Sequence, residues 1–283
     1  MLALHQWIAT TPIDWWARRG ECAVSFVPSD HDIRGVLFDW GDTLVHPPGI
    51  TTDVEGHFGC VEAFFRYDLP ERVSLPSGTG DREWQAFRTN YKSVASDQIK
   101  GSLETGREHS FEERFARTLN LTFPVINPDE ATAAWMAAKF GTRVVGECWQ
   151  IKDAETVLPR LREKLQVGLL SNYPHAPAVH ASLERFDLLR HFDAMTVSGE
   201  IGWSKPHARA FELAIGRMGL SPGQLLYVGD DLINDMEGAK AYGMHTAWLP
   251  RKGQSGQHSS VDVTLTGLTD LVELFNSDEH QPR

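Results

Sequence analysis

The stretch "FDWGDTL", Phe38 to Leu44, follows an apolar run and carries two carboxylates three residues apart, Asp39 and Asp42. An aspartate so placed can attack phosphorus and become an aspartyl phosphate. Something must then finish the reaction, and the spacing decides whether Asp42 can. Three further stretches offer matching chemistry. "VGLLSN" ends in Ser171 and Asn172, a hydroxyl and nearby N–H groups suited to phosphoryl oxygens. "GEIGWSKP" holds Lys205, a point charge for those oxygens and for the nucleophile. "GDDLIND" supplies Asp230, Asp231, Asn234 and Asp235. Acidic oxygens gathered round one point repel each other unless a hard cation sits among them, and Mg²⁺ fits, since it takes oxygen ligands and bridges to phosphate. Taken singly, these residues are ordinary. Asp at a strand end caps helices or forms turns, a lone Lys is usually a surface residue, and Ser-Asn is a turn. Their order along the chain, each at the end of an apolar run, carries the information.

The elements that must position them follow from the same runs. "IRGVLFDW" reads as a buried strand, as do 166–172, 194–199, 224–230, 244–250 and, more weakly, 261–265. Helical patterns lie between them at 153–165, 176–189, 206–219, 232–242 and 268–276. Pro206 suits the first turn of its helix, and Gly243 the stop after another. Strand alternating with helix predicts an α/β fold, a Rossmann-like parallel sheet covered on both faces, with ligands at the carboxyl ends of its strands. Residues 48–147 behave differently. They carry many aromatic residues and few β-branched runs, and "DREWQAFRTNYKSVASDQI" and "SFEERFARTLN" read as helices, while "LPERVSLPSGTGD" and "TFPVINPDE" read as loops. The expected organisation is an extension at 1–31, a core of 32–47 and 148–283, and a helical insert at 48–147. Trp7, Ile8, Trp15 and Trp16 in the extension suit an amphipathic helix or a loose tail.

The bulk numbers set limits. The 283 residues suit one large domain or two modest ones. Formal charge is −11, from 38 acidic against 27 basic residues, and no Lys/Arg block appears, so a nucleic-acid partner is not expected. Cys22, Cys60 and Cys148 are odd in number and far apart, which predicts free thiols in a reducing compartment. No apolar run approaches the roughly 18 residues of a membrane span, and the N-terminal sequence is a poor signal peptide. The expectation is a cytoplasmic protein, monomer or homodimer.

The four ordered motifs resemble the haloacid dehalogenase-like (HAD) hydrolase superfamily, in the subgroup whose cap follows the first motif. "VLFDWGDTL", "VGLLSN", "GEIGWSKP" and "YVGDDLINDMEGAKAYGM" match its pattern across about 33–47 and 150–275. The resemblance implies that Asp39 is the nucleophile and that Lys205 pairs with it. It implies that Ser171, with Asn172, binds the phosphoryl group. Asp39, Asp230, Asp235 and the backbone carbonyl of Gly41 would hold Mg²⁺. The implied reaction is hydrolysis of a small phosphorylated metabolite through an aspartyl phosphate, under the helical cap.

One departure matters. The family's general acid/base is an Asp two residues after the nucleophile, and here that place is Gly41. Three readings stand open. Gly41 lets the loop bend until Asp42 serves; or the acid is gone and substrates have good leaving groups; or His46, His175 or a cap residue moves the proton. A lone loop His is, as a rule, simply solvated. Two relatives also lack that acid. The 2-haloacid dehalogenases lack the acidic fourth motif that is present here. The phosphonoacetaldehyde hydrolases share a similar first motif but need a cap lysine, for which Lys92, Lys100 and Lys139 are the candidates. A catalytically impaired phosphate-binding protein is the remaining alternative. Trp40 and Trp203 flank the motifs and suit either the cap–core cleft or core packing.

Overall fold

The computed structural model describes residues 26–49 and 52–276; the four extension residues Trp7, Ile8, Trp15 and Trp16, and Cys22, lie outside them. The expected apolar runs form strands β1 (Gly35–Phe38), β4 (Gln166–Ser171), β5 (Ala194–Val197), β6 (Leu225–Gly229), β7 (His245–Trp248) and β8 (Val263–Thr264). These make one sheet in the order β5-β4-β1-β6-β7-β8, parallel throughout. β1 is therefore central, with Phe38 beside Leu169 on one side and Val228 on the other. Its GVLF sequence is buried at every position, because helices cover both faces. Val36 and Phe38 join one apolar cluster and Leu37 the other.

Helices α6 (Ala154–Arg162), α7 (Ala176–Arg185), α9 (Ala208–Met218) and α11 (Thr269–Asn276) lie where helical patterns were read, with shorter ends. Two details differ. Pro206 is not in the first turn of its helix: α9 starts at Ala208, and His207 caps it by accepting from the Arg209 N–H. The segment read as one helix at 232–242 is a π-helical turn, Leu232–Glu237, followed by α10, Gly238–Ala241. The Asp231 side chain accepts from Ile233 and Asn234 N–H at its start, and the Asp231 carbonyl accepts from both Asp235 and Met236. That widened turn aims Asp235 back toward the strand ends. Gly243 follows α10 with φ 78°, the left-handed stop that glycine adopts without strain.

The aromatic stretch between β1 and β4 is helical: α1 (Val54–Ala63), α2 (Leu69–Arg72), α3 (Asp81–Thr105), α4 (Phe111–Thr122) and α5 (Glu130–Glu147). The segment read as a loop from Leu69 opens with α2, where Pro70 occupies the first turn. A short antiparallel pair, β2 (Val45–His46) and β3 (Trp149–Gln150), brackets the insert. Phe64, Tyr91, Phe111, Phe115 and Phe140 pack at its centre in tilted and edge-to-face contacts, with neighbouring centroids 4.7 to 6.5 Å apart. Each face follows helical spacing; α4 buries Phe111, Arg114, Phe115, Thr118 and Leu119. A second tie joins insert to core. Arg107 pairs with Trp203 in an antiparallel bridge, and Ser204 N–H donates to the Gly106 carbonyl at 2.9 Å.

Candidate active site

The carboxyl ends of β1, β4 and β6 converge on one cavity of about 290 Å³. Asp39, Gly41, Asp42, Ser171, Asn172, Lys205, Asp230 and Asp235 all line it. Strand register explains the convergence: Phe38, Leu169 and Val228 are level, so the residues just beyond them open on the same side of the sheet.

Lys205 is the hub. Its buried Nζ donates to Asp39 Oδ1 at 2.7 Å, Asp235 Oδ1 at 2.7 Å, the Tyr227 hydroxyl at 2.8 Å and the Leu170 carbonyl at 3.0 Å. Burial alone would lower its pKa, but the two acids outweigh that and hold it well above the ordinary lysine range. Asn172 fixes its backbone: the Asn172 amide donates to the Lys205 carbonyl at 2.9 Å and its oxygen accepts from the Lys205 N–H at 2.7 Å. The amide predicted to bind substrate is thus committed to positioning the lysine. Ser171 Oγ carries no such commitment.

Asp39, Asp230 and Asp235 are buried, and one oxygen of each lies within 4.8 Å of the others. Desolvation, only partly offset by Lys205, raises Asp39 to about 6. Desolvation, then the charges of Asp39 and Asp235, raises Asp230 to about 8. Three crowded carboxylates against two cations, Lys205 and Arg251, leave one negative charge in excess. Asp230 Oδ2 is buried without a hydrogen bond, held only by the ion pair to Arg251. An all-oxygen donor set short of positive charge fits a hard divalent cation.

Asp42 borders the cavity but is engaged elsewhere. Its backbone is left-handed, φ 56°, and its carboxylate meets His46 Nδ1 at 2.7 Å and Arg251 Nε at 3.5 Å. Gly41, the place of the missing acid, is not left-handed, and a Cβ there would meet nothing nearer than Pro47 Cγ at 3.7 Å. Neither His46 nor His175 lines the cavity. His46 lies tilted against Trp149 at 4.5 Å, and His175 stacks on Phe111 at 6.1 Å. None of Lys92, Lys100 and Lys139 reaches it; Lys139 pairs with Glu71 at 2.8 Å. Trp40 is buried, lines the cavity and donates to Ser182 Oγ at 3.0 Å. Trp203 lies at the insert–core bridge, with the Arg107 guanidinium 4.0 Å over its ring.

Sequence reading missed Arg251, which reaches in from the loop after β7, and the insert residues His57 and Arg114. Arg114 carried a signal: it falls three residues after Phe111 and four before Thr118, on the buried face of its helix.

The haloacid dehalogenase-like hydrolase family matches residues 33–243. This chain belongs to it. The phosphoglycolate phosphatase of Escherichia coli strain K12 is 28% identical over 257 residues, covering 85% of this chain and 92% of that protein. The ribulose-1,5-bisphosphate 5-phosphatase of Halopiger xanaduensis is 26% identical over 205 residues, 68% of this chain and 84% of the other. A 2-haloacid dehalogenase of Pseudomonas syringae pv. Tomato superposes with a TM-score of 0.63 at 17% identity, over 87% of this chain and 99% of that one. That last likeness is one of fold. Among the described residues no helix is long and apolar enough to cross a membrane, and Cys60 and Cys148 are free and buried.

Proposed function

We propose that this HAD-like hydrolase cleaves small phosphate monoesters, with Asp39 as nucleophile and Mg²⁺ as cofactor. The observation that carries the reading is the buried group of Asp39, Asp230 and Asp235 with Lys205, walling a cavity sized for a small metabolite. Asp39, Asp230 and Asp235, with the Gly41 carbonyl on the same wall, would hold the ion, which when bound neutralises charge on the phosphoryl oxygens.

Lys205 keeps Asp39 ionised and aimed, since it grips one carboxylate oxygen and leaves the other to attack phosphorus. The new O–P bond gives an aspartyl phosphate as the bond to the leaving oxygen breaks, and that oxygen takes up a proton. Water then attacks phosphorus, releasing phosphate and restoring Asp39. Ser171 Oγ lies where it can hold a phosphoryl oxygen. The two named phosphatase relatives act, by their names, on small phosphate esters, which supports the substrate class. Two buried acids after β6, Asp230 at its end and Asp235 in the following turn, argue against dehalogenase chemistry without a cation, and the absence of a lysine other than Lys205 on the described cavity wall argues against Schiff-base chemistry.

The test is hydrolysis of p-nitrophenyl phosphate and acetyl phosphate with Mg²⁺ by wild type, Asp39→Asn and Asp42→Asn side by side. Turnover that a chelator stops and Asp39→Asn abolishes is expected. Phosphate binding without turnover would sink the reading and leave a binding protein.

A further inference from the structure

Arg114 enters the same cavity from the opposite wall, on α4 of the insert. It is only 5% exposed, yet pairs with no carboxylate among the described residues. Its Nε donates to Gln98 Oε1 at 2.7 Å, and its guanidinium lies over the rings of Phe111 at 5.0 Å and Tyr91 at 5.8 Å. Glu108 feels its charge but forms no ion pair with it, accepting instead from Ser198 Oγ at 2.5 Å and from the His109 N–H at 2.9 Å. A buried cation without a counter-ion is costly, and Arg is rarely buried unless paired. Gln98 and the two rings fix its direction, so a partner must come to it through the cavity.

The charge of the wall around it is one. His57, beside it on the cavity lining, is held neutral: burial is the main cause and Arg114 adds to it, lowering its pKa to about 4. Its Nε2 lies 3.1 Å from the Tyr91 hydroxyl and its Nδ1 3.4 Å from the Pro48 carbonyl, so both ring nitrogens are satisfied within the protein. A single planar guanidinium matches a monoanionic carboxylate in charge and shape. A second phosphate would bring two charges to one cation.

Resting on the phosphatase reading above, we propose that Arg114 is the specificity-determining residue of this site, receiving a carboxylate carried by the substrate at the end remote from its phosphate. Substrate then supplies the missing counter-ion, and the insert distinguishes acids from neutral phosphate esters of the same size.

The experiment compares kcat/KM for three substrates: 2-phosphoglycolate, its neutral counterpart ethyl phosphate, and ethylene glycol bisphosphate. Wild type is expected to prefer the carboxylate over ethyl phosphate by about a hundredfold, the worth of a buried hydrogen-bonded charge pair. Arg114→Gln should collapse that ratio toward one, and Arg114→Lys should retain part of it, whatever the overall activity of each variant. Because the wild-type ratio is read without any substitution, a variant that fails to fold does not shelter the proposal. Equal rates on 2-phosphoglycolate and ethyl phosphate by wild type overturn it while leaving the phosphatase reading intact. A preference for the bisphosphate that Arg114→Gln removes overturns the carboxylate assignment. No turnover of any of these, nor of p-nitrophenyl phosphate, overturns the parent reading as well.

Discussion

Restoring the absent acid is the sharpest perturbation the site offers. Gly41 lies on the cavity wall, and a Cβ there finds ordinary contact distance to Pro47 and nothing closer. Its φ is not left-handed, so Gly41→Asp needs no change of backbone. Asp42 cannot play the part without giving up His46 at 2.7 Å and moving off Arg251. On this geometry the wild-type protein should release an alkoxide poorly and an aryl oxide well, since the latter leaves without a proton. A positioned acid contributes typically about 10²–10⁴-fold, or about 3–5 kcal/mol of barrier. Gly41→Asp should therefore speed ethanol release from ethyl phosphate by about a hundredfold or more. Release of p-nitrophenol from its phosphate should rise by less than about tenfold, because little proton transfer is at stake. Single-turnover measurement of alcohol release isolates this step from hydrolysis of the aspartyl phosphate. If Gly41→Asp leaves the alkyl rate unchanged and Asp42→Asn lowers it a hundredfold, then Asp42 already supplies the proton and the reasoning from its contacts is wrong.

Two predictions concern stability. Lys205→Met keeps an unbranched side chain one atom shorter and removes the charge from among Asp39, Asp235 and Asp230. Breaking a buried pair costs about 3–5 kcal/mol, so urea unfolding in a chelator should show a loss of that size; a change under about 1 kcal/mol would mean Lys205 is not their counter-charge. His57 is neutral in the fold, with its pKa lowered from 6.5 to about 4. The unfolded chain therefore binds the extra proton between those values. The contribution of His57 is fully present above pH 6.5 and is lost as pH falls to 4, by about 3 kcal/mol. His57→Gln should flatten that part of the stability–pH curve, and parallel curves for the two proteins would refute the assignment.

The strands were legible because parallel sheets bury both faces, which turns their sequences into short apolar runs that stand out between helices. Asp39, Ser171 and Asp230 were legible for a related reason, since a strand end is a position in sequence as well as in space, while Lys205 and Asp235 follow β5 and β6 at a few residues' remove and were legible from the order of the motifs. Asn172 was found, but its bond to the Lys205 backbone was not, since nothing local says that its amide would close there. Arg251 sits in an irregular loop, where no periodicity marks direction. His57 and Arg114 come from helices whose placement over the sheet depends on packing between distant segments, and a charged residue on an amphipathic helix reads as solvated unless its spacing from Phe111 is weighed. The start of α9 moved because His207 caps it, a contact that the proline before it concealed.

The central place of β1 has a consequence for how the chain assembles. This strand is made before both of its hydrogen-bonding neighbours, which lie beyond the aromatic helices of the insert. Until β4 and β6 arrive, its apolar GVLF edge has no native partner, and bringing them together closes a long loop. Non-local pairing of this kind slows folding. Compaction of the intervening helices shortens the effective distance, so the insert that lines the cavity in the finished protein also serves the nascent one, by carrying the later strands back to Asp39.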